Sequence, residues 1–259
     1  IEYKVGDGEW TAEEPSATNV ADSKAAISVR ASLEGYQTAQ VDNLSIDVTP
    51  KPVTVTANRA EKMFGEDDPE LSATVAGTIG ADTVKYEVKR PGAGTDEAVK
   101  VYGGAVVASG DKEQGNYSVS FEPADFEIIP LDFGKTDGVH VVVTAPNDVV
   151  YDAQEHKGLP TLRIVNEEGA TVATLAEGDY IVSYYDNADR DSVTTDYVSA
   201  RELHLVIASG SSNFKGSTTS SYKIMQRPVS FTGKSDTKTF TGKEQSVEGF
   251  DDTSKKDIS

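Results

Sequence analysis

Apolar and polar residues alternate along most of the chain, which is the pattern of half-buried β-strands. Turn clusters such as Gly92–Glu97 ("GAGTDE") separate the alternating segments, and no capped segment with a 3.6-residue period reaches helical length. The pattern therefore predicts an all-β protein made of small antiparallel β-domains, either Ig-like sandwiches or β-grasp-like folds. The clearest predicted strands are Val84–Lys89, Asn116–Glu122, Val139–Ala145, Thr161–Val165, Asp179–Tyr185 and Leu203–Ser209.

An internal repeat divides the chain into four pieces. The stretch Thr49–Ala57 ("TPKPVTVTA") is similar to Met225–Gly233 ("MQRPVSFTG"), and in both a basic residue precedes proline and an alternating strand. An aromatic residue before a final strand also recurs, at Tyr36, Tyr117 and Phe214. These recurring features predict four pieces arranged end to end. Residues 1–50 are the C-terminal part of one unit, and residues 51–130 and 131–226 are whole units. Residues 227–259 are the truncated start of a further unit.

The stretch Met63–Leu71 ("MFGEDDPEL") concentrates four carboxylates and raises the question of a metal site. The equivalent stretches of the other copies retain an aromatic residue and a residue suited to a tight turn, but not the acids. We therefore expect the acids to be solvated, and each aromatic ring to close the base of its domain. The predicted structural turn anchors are Phe64, Gly65, Tyr151, Asp152, Phe240 and Gly242.

Composition restricts the classes of function. Asp and Glu number 43 against 24 Lys and Arg, and the net charge of -19 repels phosphate backbones and anionic lipid, so we expect no nucleic-acid partner. No run of apolar residues approaches the roughly 20 that a membrane-spanning helix requires, so we expect no membrane insertion. The chain has no cysteine, no phosphate loop, no nucleophile elbow and no H-E-x-x-H motif. We therefore expect neither an enzyme nor a bound cofactor.

Calcium is the one metal for which the sequence offers ligands. Asn187, Asp189 and Asp191 occupy the first, third and fifth positions of a calcium loop. The same loop lacks the glycine and the bidentate glutamate that its sixth and twelfth positions require, since the chain has Ser192 and Val198 there. A calcium site and a polar hairpin tip without metal are the two alternatives.

Trp10 is the only tryptophan of the chain. With Tyr3 and Tyr36 it could form a platform on which a sugar ring stacks, which makes Trp10 a candidate ligand contact. The alternative is a core tryptophan that follows a hairpin.

Three parts of the chain resemble known repeat domains. Residues 51–130 resemble the MBG-type tandem repeat domains of large bacterial cell-surface proteins and adhesins, and residues 131–226 resemble a sister type of the same domain. Residues 1–50 are similar to the Ig-like repeats that often precede them. The motifs that carry these resemblances are Lys51-Pro52-Val53, Phe64-Gly65-Glu66, Asn116-Tyr117, Tyr151-Asp152 and Asp179-Tyr180.

The resemblance implies structural stalk or spacer repeats at the bacterial cell surface or cell wall, which extend an adhesive region from the cell as a monomeric rod within a longer chain. It implies no catalytic or cofactor-binding residue. The segment Ala188–Glu202 stands where the family has a short turn, so we interpret it as an insertion. The alternative function is an adhesin module that recognises host glycan or protein through this insertion or Trp10. An isopeptide bond, as in other surface β-domains, would join Lys51 to Asn116; otherwise Asn116 is a turn residue.

Overall fold

The computed structural model describes residues 1–95, 97–229, 232–247 and 249–251. These residues form strands β1–β22 and a short 3-10 turn at Val20–Asp22, with no α-helix among them. The predicted all-β class is therefore confirmed. The chain divides into two compact units, Ile1–Pro130 and Leu131–Ser259.

The first unit contains half of the strands. In chain order they are β1 (Glu2–Val5), β2 (Lys24–Ala31), β3 (Ala39–Ile46), β4 (Lys51–Ala57), β5 (Ala60–Met63), β6 (Ala73–Ala76), β7 (Glu87–Lys89), β8 (Lys100–Ser109), β9 (Glu113–Gln114), β10 (Tyr117–Glu122) and β11 (Ala124–Ile129).

The second unit contains the remaining strands. They are β12 (Leu131–Asp132), β13 (His140–Thr144), β14 (Val149–Val150), β15 (Thr161–Val165), β16 (Thr171–Thr174), β17 (Tyr180–Tyr185), β18 (Arg201–Ser209), β19 (Phe214–Lys215), β20 (Ser217–Met225), β21 (Thr232–Gly233) and β22 (Phe250–Asp251).

Residues 1–50 form one antiparallel sheet in the order β1-β2-β3. Its strand register places Tyr3 opposite Val29 and Val29 opposite Val41. Ile27 is buried, whereas Val41 on the outer strand is 57% exposed. Buried and exposed residues therefore occur together in this sheet, and only part of its apolar surface is covered.

The first repeat, residues 51–130, packs two mixed four-stranded sheets against each other, in the orders β6-β4-β10-β9 and β5-β11-β8-β7. The chain passes from the first sheet to the second three times, between β4 and β5, between β6 and β7, and between β10 and β11. Apolar residues at alternate strand positions face inwards and form the core, which includes Val53, Val55, Val106, Val119, Phe126 and Ile128.

Parallel pairing joins the first and last strands of this repeat. β4 runs parallel to β10, from Lys51 opposite Tyr117, and β5 runs parallel to β11, ending with Met63 opposite Ile129. The sequence pattern indicated antiparallel domains, and the remaining strand pairs of the repeat are antiparallel. The sheets are mixed because the chain returns beside its own first strand after a long excursion through β6–β9.

The second repeat has the same parallel pairing. β12 pairs with β19 and β14 with β20, both in parallel. Its sheets have the orders β13-β15-β16 and β14-β20-β18-β17. Alternate residues of β18, namely Leu203, Leu205 and Ile207, are completely buried and carry much of the core.

The strand predicted within Met225–Gly233 is described only in part. Thr232–Gly233 pairs antiparallel with Phe250–Asp251. Ser230, Phe231 and residues 252–259 of the predicted truncated repeat lie outside the described residues.

Candidate functional site

The predicted turn anchors of the two whole repeats occupy equivalent places. The Phe64 backbone N–H donates to the carbonyl of Ile129, at 2.9 Å, and the Tyr151 N–H donates to the carbonyl of Met225, also at 2.9 Å. Both acceptors are the last residues of the last strand in their repeats. The internal comparison of the sequence therefore aligned residues that are equivalent in space.

The burial of the three rings differs. Phe64 is half-buried and packs against the core of the first repeat. Tyr151 is 38% exposed and Phe240 is 89% exposed. The expectation that Phe240 closes a domain base is wrong for the described structure, because no parallel last strand lies beside it in the described part of residues 227–251.

The turns after these rings also differ. Gly65 and Gly242 have positive φ angles, of 90° and 74°, as a tight turn requires. In the second repeat the positive φ, 66°, falls on Ala153 and not on the predicted Asp152. Asp152 instead accepts hydrogen bonds from the Gln154 N–H and from His156 Nε2. These bonds hold the pKa of Asp152 below its ordinary value, the Gln154 N–H having the larger effect.

The interpretation of the acids in Met63–Leu71 as solvated is wrong for Asp68. Its carboxylate accepts two hydrogen bonds from Arg90, one from Nε at 2.6 Å and one from Nη2 at 2.7 Å. Lys62 Nζ lies 2.9 Å from the same carboxylate. The side chains of Arg90 and Lys62 are only 3% and 8% exposed. Asp68 thus supplies charge to two cations that water scarcely reaches.

Glu97 completes this charged cluster. Its carboxylate lies 2.5 Å from Lys62 Nζ and 2.7 Å from Arg90 Nη2, and it accepts the Gly94 N–H at 2.6 Å. The Arg90 guanidinium also lies 4.3 Å from the centre of the Phe126 ring, which is completely buried. We name Lys62, Asp68, Arg90 and Glu97 the buried charge cluster.

The pKa values in the buried charge cluster follow from these contacts. Hydrogen bonds from Arg90 are the main reason why the pKa of Asp68 is lowered. Burial by itself raises the pKa of Glu97, but the hydrogen bonds from Lys62, Arg90 and the Gly94 N–H outweigh it, so the pKa is lowered. Both acids are therefore charged at neutral pH. Because the cations of Lys62 and Arg90 are already paired with carboxylates, we assign the buried charge cluster a structural role.

The predicted calcium ligands do not form a cation site in the described structure. Asn187 Nδ2 donates a hydrogen bond to Asp191 Oδ1, so an amide donor faces the carboxylate where a cation would need an oxygen ligand. Asp189 is exposed. Within the described residues, no three histidine, aspartate or glutamate side chains converge on a point that could hold a metal ion.

Trp10 is half-buried and stacks against cations. The Arg30 guanidinium lies 4.4 Å from the ring centre, and Lys4 Nζ lies 5.5 Å from it. Tyr36 is 76% exposed, and the Tyr3 hydroxyl donates to Glu14. The arrangement is a cation–π stack on the surface of the first sheet, and a sugar would have to share the Trp10 ring with Arg30.

Lys51 and Asn116, the predicted isopeptide pair, bind other groups. Lys51 Nζ donates to the Gly77 carbonyl at 2.7 Å. Asn116 Oδ1 accepts the Val20 N–H, and its Nδ2 donates to Asn19 Oδ1, each at 2.9 Å. Asn116 therefore fastens residues 1–50 to the first repeat, a role for which the sequence carried no signal.

The segment predicted as an insertion, Ala188–Glu202, packs on the second repeat. Its Tyr197 ring meets the buried Tyr184 ring edge-on, with 5.1 Å between the ring centres. The ammonium group of Lys157 lies 5.2 Å from the Tyr197 ring and 5.5 Å from the Tyr184 ring. The His156 N–H donates to the Tyr197 carbonyl at 2.8 Å. The last two residues of the predicted insertion, Arg201 and Glu202, belong to β18.

Asp196 organises the turn within this segment. Its carboxylate accepts the N–H groups of Val198 and Ser199, both at 2.9 Å, and Arg201 Nη2 at 2.7 Å. Hydrogen bonds from the hydroxyl and N–H of Ser199 and from the Val198 N–H lower the pKa of Asp196 to about 2. The turn is thus held by a carboxylate that stays charged in all but strong acid.

The described residues also form a shallow groove next to β17, at the edge of the second repeat. Its walls are Lys157, Leu159, Glu177, Tyr180, Val182 and Tyr184. Leu159 is 59% exposed at its rim. Sequence reasoning placed possible contacts in the neighbouring insertion but missed this groove, because its walls come from two separate stretches of the chain, 157–159 and 177–184.

The class of protein follows from the repeated architecture: two successive all-β repeats, each with its last strand returning parallel to its first. The family model of the MBG domain (YGX type) matches residues 53–127. The predicted resemblance to MBG-type repeats is therefore confirmed for this segment, which contains Phe64-Gly65-Glu66 and the buried charge cluster. No curated protein matches the chain. In the described residues, no helix is long and apolar enough to cross a membrane.

Proposed function

We propose that this chain is a segment of structural spacer repeats in the stalk of a bacterial cell-surface protein, where it holds an adhesive region away from the cell. The observation that carries the proposal is the parallel pairing of first and last strands in each repeat. A repeat begins at Lys51 beside Tyr117 and ends at Ile129 beside Met63. Its two ends therefore lie at opposite ends of the strand run β10–β11, which is the geometry that a spacer needs.

The length of this run gives the reach of a repeat. Tyr117–Ile129, at about 3.3 Å per residue, spans at most about 40 Å. Only Pro130 stands between β11 of the first repeat and β12 of the next. A one-residue proline linker restricts the conformations of the junction, which supports a stalk more than a flexible tether.

The same pairing resists pulling. Force applied to the two ends of a repeat acts along β4 and β10 in opposite directions, so the hydrogen bonds between them are loaded together and not one at a time. A repeat of this topology is therefore suited to carry tension at a cell surface or in a cell wall. An acidic, cysteine-free chain is consistent with that location.

Small-angle X-ray scattering of the whole chain tests the spacer function. A compact protein of this length has a radius of gyration of about 18 Å. We expect a clearly larger value and a pair-distance distribution with an extended tail. A radius of gyration near the compact value, at concentrations where the protein is monomeric, would contradict the proposal.

The second candidate is an adhesin module that recognises host glycan or protein. The observation in its favour is the ordered insertion, which Asp196 and Tyr197 hold in one conformation. A preorganised loop loses less conformational entropy when it binds a ligand. A glycan array probed with the unchanged chain, Trp10→Ala and Arg190→Ala separates the candidates. Binding that either substitution abolishes supports an adhesin, and an array without signal leaves the spacer function.

A further inference from the structure

β17 is the edge strand of its sheet, and half of its backbone groups face away from β18. The Gly210 N–H donates to the Asp179 carbonyl at 2.8 Å, just before β17 begins. In an antiparallel pair, residues bonded to the neighbour alternate with residues that are not. Ile181 and Ser183 are therefore bonded to β18. The N–H and C=O groups of the residues between them point towards the open edge.

Those outward-facing residues are Tyr180, Val182 and Tyr184. The Tyr184 carbonyl accepts the Thr194 N–H of the insertion at 2.9 Å, and Tyr185 forms an isolated bridge with Val193. The insertion thus starts a further strand beside β17 and covers only one end of it. In the described part of the chain, the backbone groups of Tyr180 and Val182 have no partner on this edge.

The equivalent edge strand of the first repeat has features that prevent the addition of a further strand, whereas β17 lacks them. β7 and β17 are in the same position of their sheets, next to β8 and β18. β7 has three residues, and its Glu87 and Lys89 form an ion pair, so it presents charge to an approaching strand. β17 has the uncharged sequence YIVSYY, and its Ile181 is 60% exposed. Charged or short edges prevent strand addition, and a longer apolar edge permits it.

The groove beside this edge provides room for side chains. Tyr180, Val182 and Tyr184, which alternate along β17, form one of its walls, and the exposed Leu159 also lines it. A strand added to β17 would direct every second side chain into the groove. The site therefore combines unpaired main-chain groups, which give affinity, with an apolar groove, which selects side chains.

Charge indicates which strand would fit. Seven acidic residues lie at the two ends of β17 or in the adjoining insertion. The basic residues nearby are Lys157, Arg190 and Arg201, and Arg201 is already paired with Asp186 and Asp196. Two copies of this chain, each with a net charge of -19, would repel each other at this edge. A basic partner would be attracted to it. The acids are Glu177, Asp179, Asp186, Asp189, Asp191, Asp196 and Glu202.

We propose that the open edge of β17 binds an extended, basic peptide segment of a partner protein, which adds to the sheet as a further strand. Its apolar side chains occupy the groove at alternate positions, and its basic side chains meet the acids at the two ends of β17. This interaction goes beyond the spacer function and does not depend on it.

The test uses the whole chain and a synthetic peptide of alternating valine and lysine. We expect binding measured by fluorescence anisotropy, weaker in high salt, together with slower hydrogen exchange of the Tyr180 and Val182 amides. Val182→Pro removes only an N–H that faces the open edge, so the fold is retained. We expect this variant to weaken binding about tenfold or more.

Two further variants separate the edge from general effects. Ile181→Lys adds to β17 the kind of charge that guards β7, and we expect it to weaken binding similarly. Val172→Lys is the matched control, because Val172 lies on the edge strand β16 of the same repeat and is 50% exposed. We expect it to bind as the unchanged chain does, apart from a small effect of the added charge. Thermal unfolding verifies that all variants are folded.

Several results would overturn the proposal. These are absence of binding at millimolar peptide, unchanged binding by both Val182→Pro and Ile181→Lys, or equal binding of a valine–glutamate peptide. A peptide with N-methylated backbone amides must lose affinity, because it cannot form the strand ladder. If the chain alone forms dimers that Val182→Pro abolishes, the occupant is a second copy and not a basic partner.

Discussion

The Asp68 carboxylate forms ion pairs with two cationic side chains that are almost inaccessible to solvent. Arg90 and Lys62 are 3% and 8% exposed, and both depend on Asp68 and Glu97 for compensation of their charge. Burying such cations costs free energy, which their ion pairs offset only while both carboxylates remain charged. The stability of the first repeat should therefore be sensitive to this one residue.

We predict that Asp68→Asn destabilises the first repeat by about 3 kcal/mol, since removal of one partner leaves buried positive charge without compensation. Urea unfolding followed by circular dichroism measures the change. The matched control is Asp67→Asn, because Asp67 is the exposed neighbour in the same acidic stretch. The control should change stability by no more than about 0.5 kcal/mol. Equal effects of the two substitutions would show that the buried charge cluster contributes little.

The cluster also predicts a dependence on pH. The pKa values of Asp68 and Glu97 are lowered in the folded state, so their contribution to stability is complete above the unfolded-state values, which are about 4. It is lost as the pH falls through the lower folded-state values. We therefore expect the stability difference between the unchanged chain and Asp68→Asn to be full at pH 7 and to shrink below about pH 4. Urea titrations at several pH values measure it, and a constant difference down to pH 2.5 would contradict the assignment.

At the scale of elements, an aromatic contact is one of several interactions that hold the insertion on the second repeat. Tyr197→Ala removes the edge-on contact with Tyr184, which is worth about 1 kcal/mol beyond its buried area. We predict faster hydrogen exchange of the Thr194 amide, which donates to Tyr184, and little change in the amides of β18. Val193→Ala is the control, because Val193 is 66% exposed in the same segment. Unchanged exchange at Thr194 in Tyr197→Ala would mean that the Asp196 turn alone holds the insertion.

The strands themselves were predictable because alternation is local. Asn116–Glu122 and Asp179–Tyr185 each contain an observed strand almost throughout, and in the first of them the alternate residues Tyr117 and Val119 are buried. Val84–Lys89 was predicted too long, and only Glu87–Lys89 is a strand. The parallel partnership of β4 with β10 had no local signal, because both strands alternate in the same way whichever direction their neighbour runs.

The candidate sites were less predictable than the strands. Comparison among copies singled out Phe64, whose backbone hydrogen bond has a counterpart at Tyr151. The same comparison treated Asp68 as dispensable, because it asked whether the acids recur and not whether Arg90 and Lys62 require them. The partners of Asp68 come from β5 and from the residue after β7. Only the fold places them together.

At the scale of the whole molecule, each repeat has its own apolar core. The core of the first repeat is formed by residues between Val53 and Ile128, on both of its sheets. The second repeat has its own completely buried set, which includes Leu162, Leu203 and Leu205. Repeats with separate cores unfold as separate cooperative units when their junction contributes little to the stability of either.

We therefore predict two unfolding transitions that respond to different substitutions. Asp68→Asn should shift only the transition of the first repeat. Leu162→Ala removes a completely buried side chain from the second repeat and should lower its stability by about 3 kcal/mol without moving the first transition. Residue-resolved hydrogen exchange in urea assigns each transition through amides of β10 and β18. If both substitutions shift both transitions equally, the repeats unfold as one unit, and a stalk of such repeats would yield to force as a whole and not one repeat at a time.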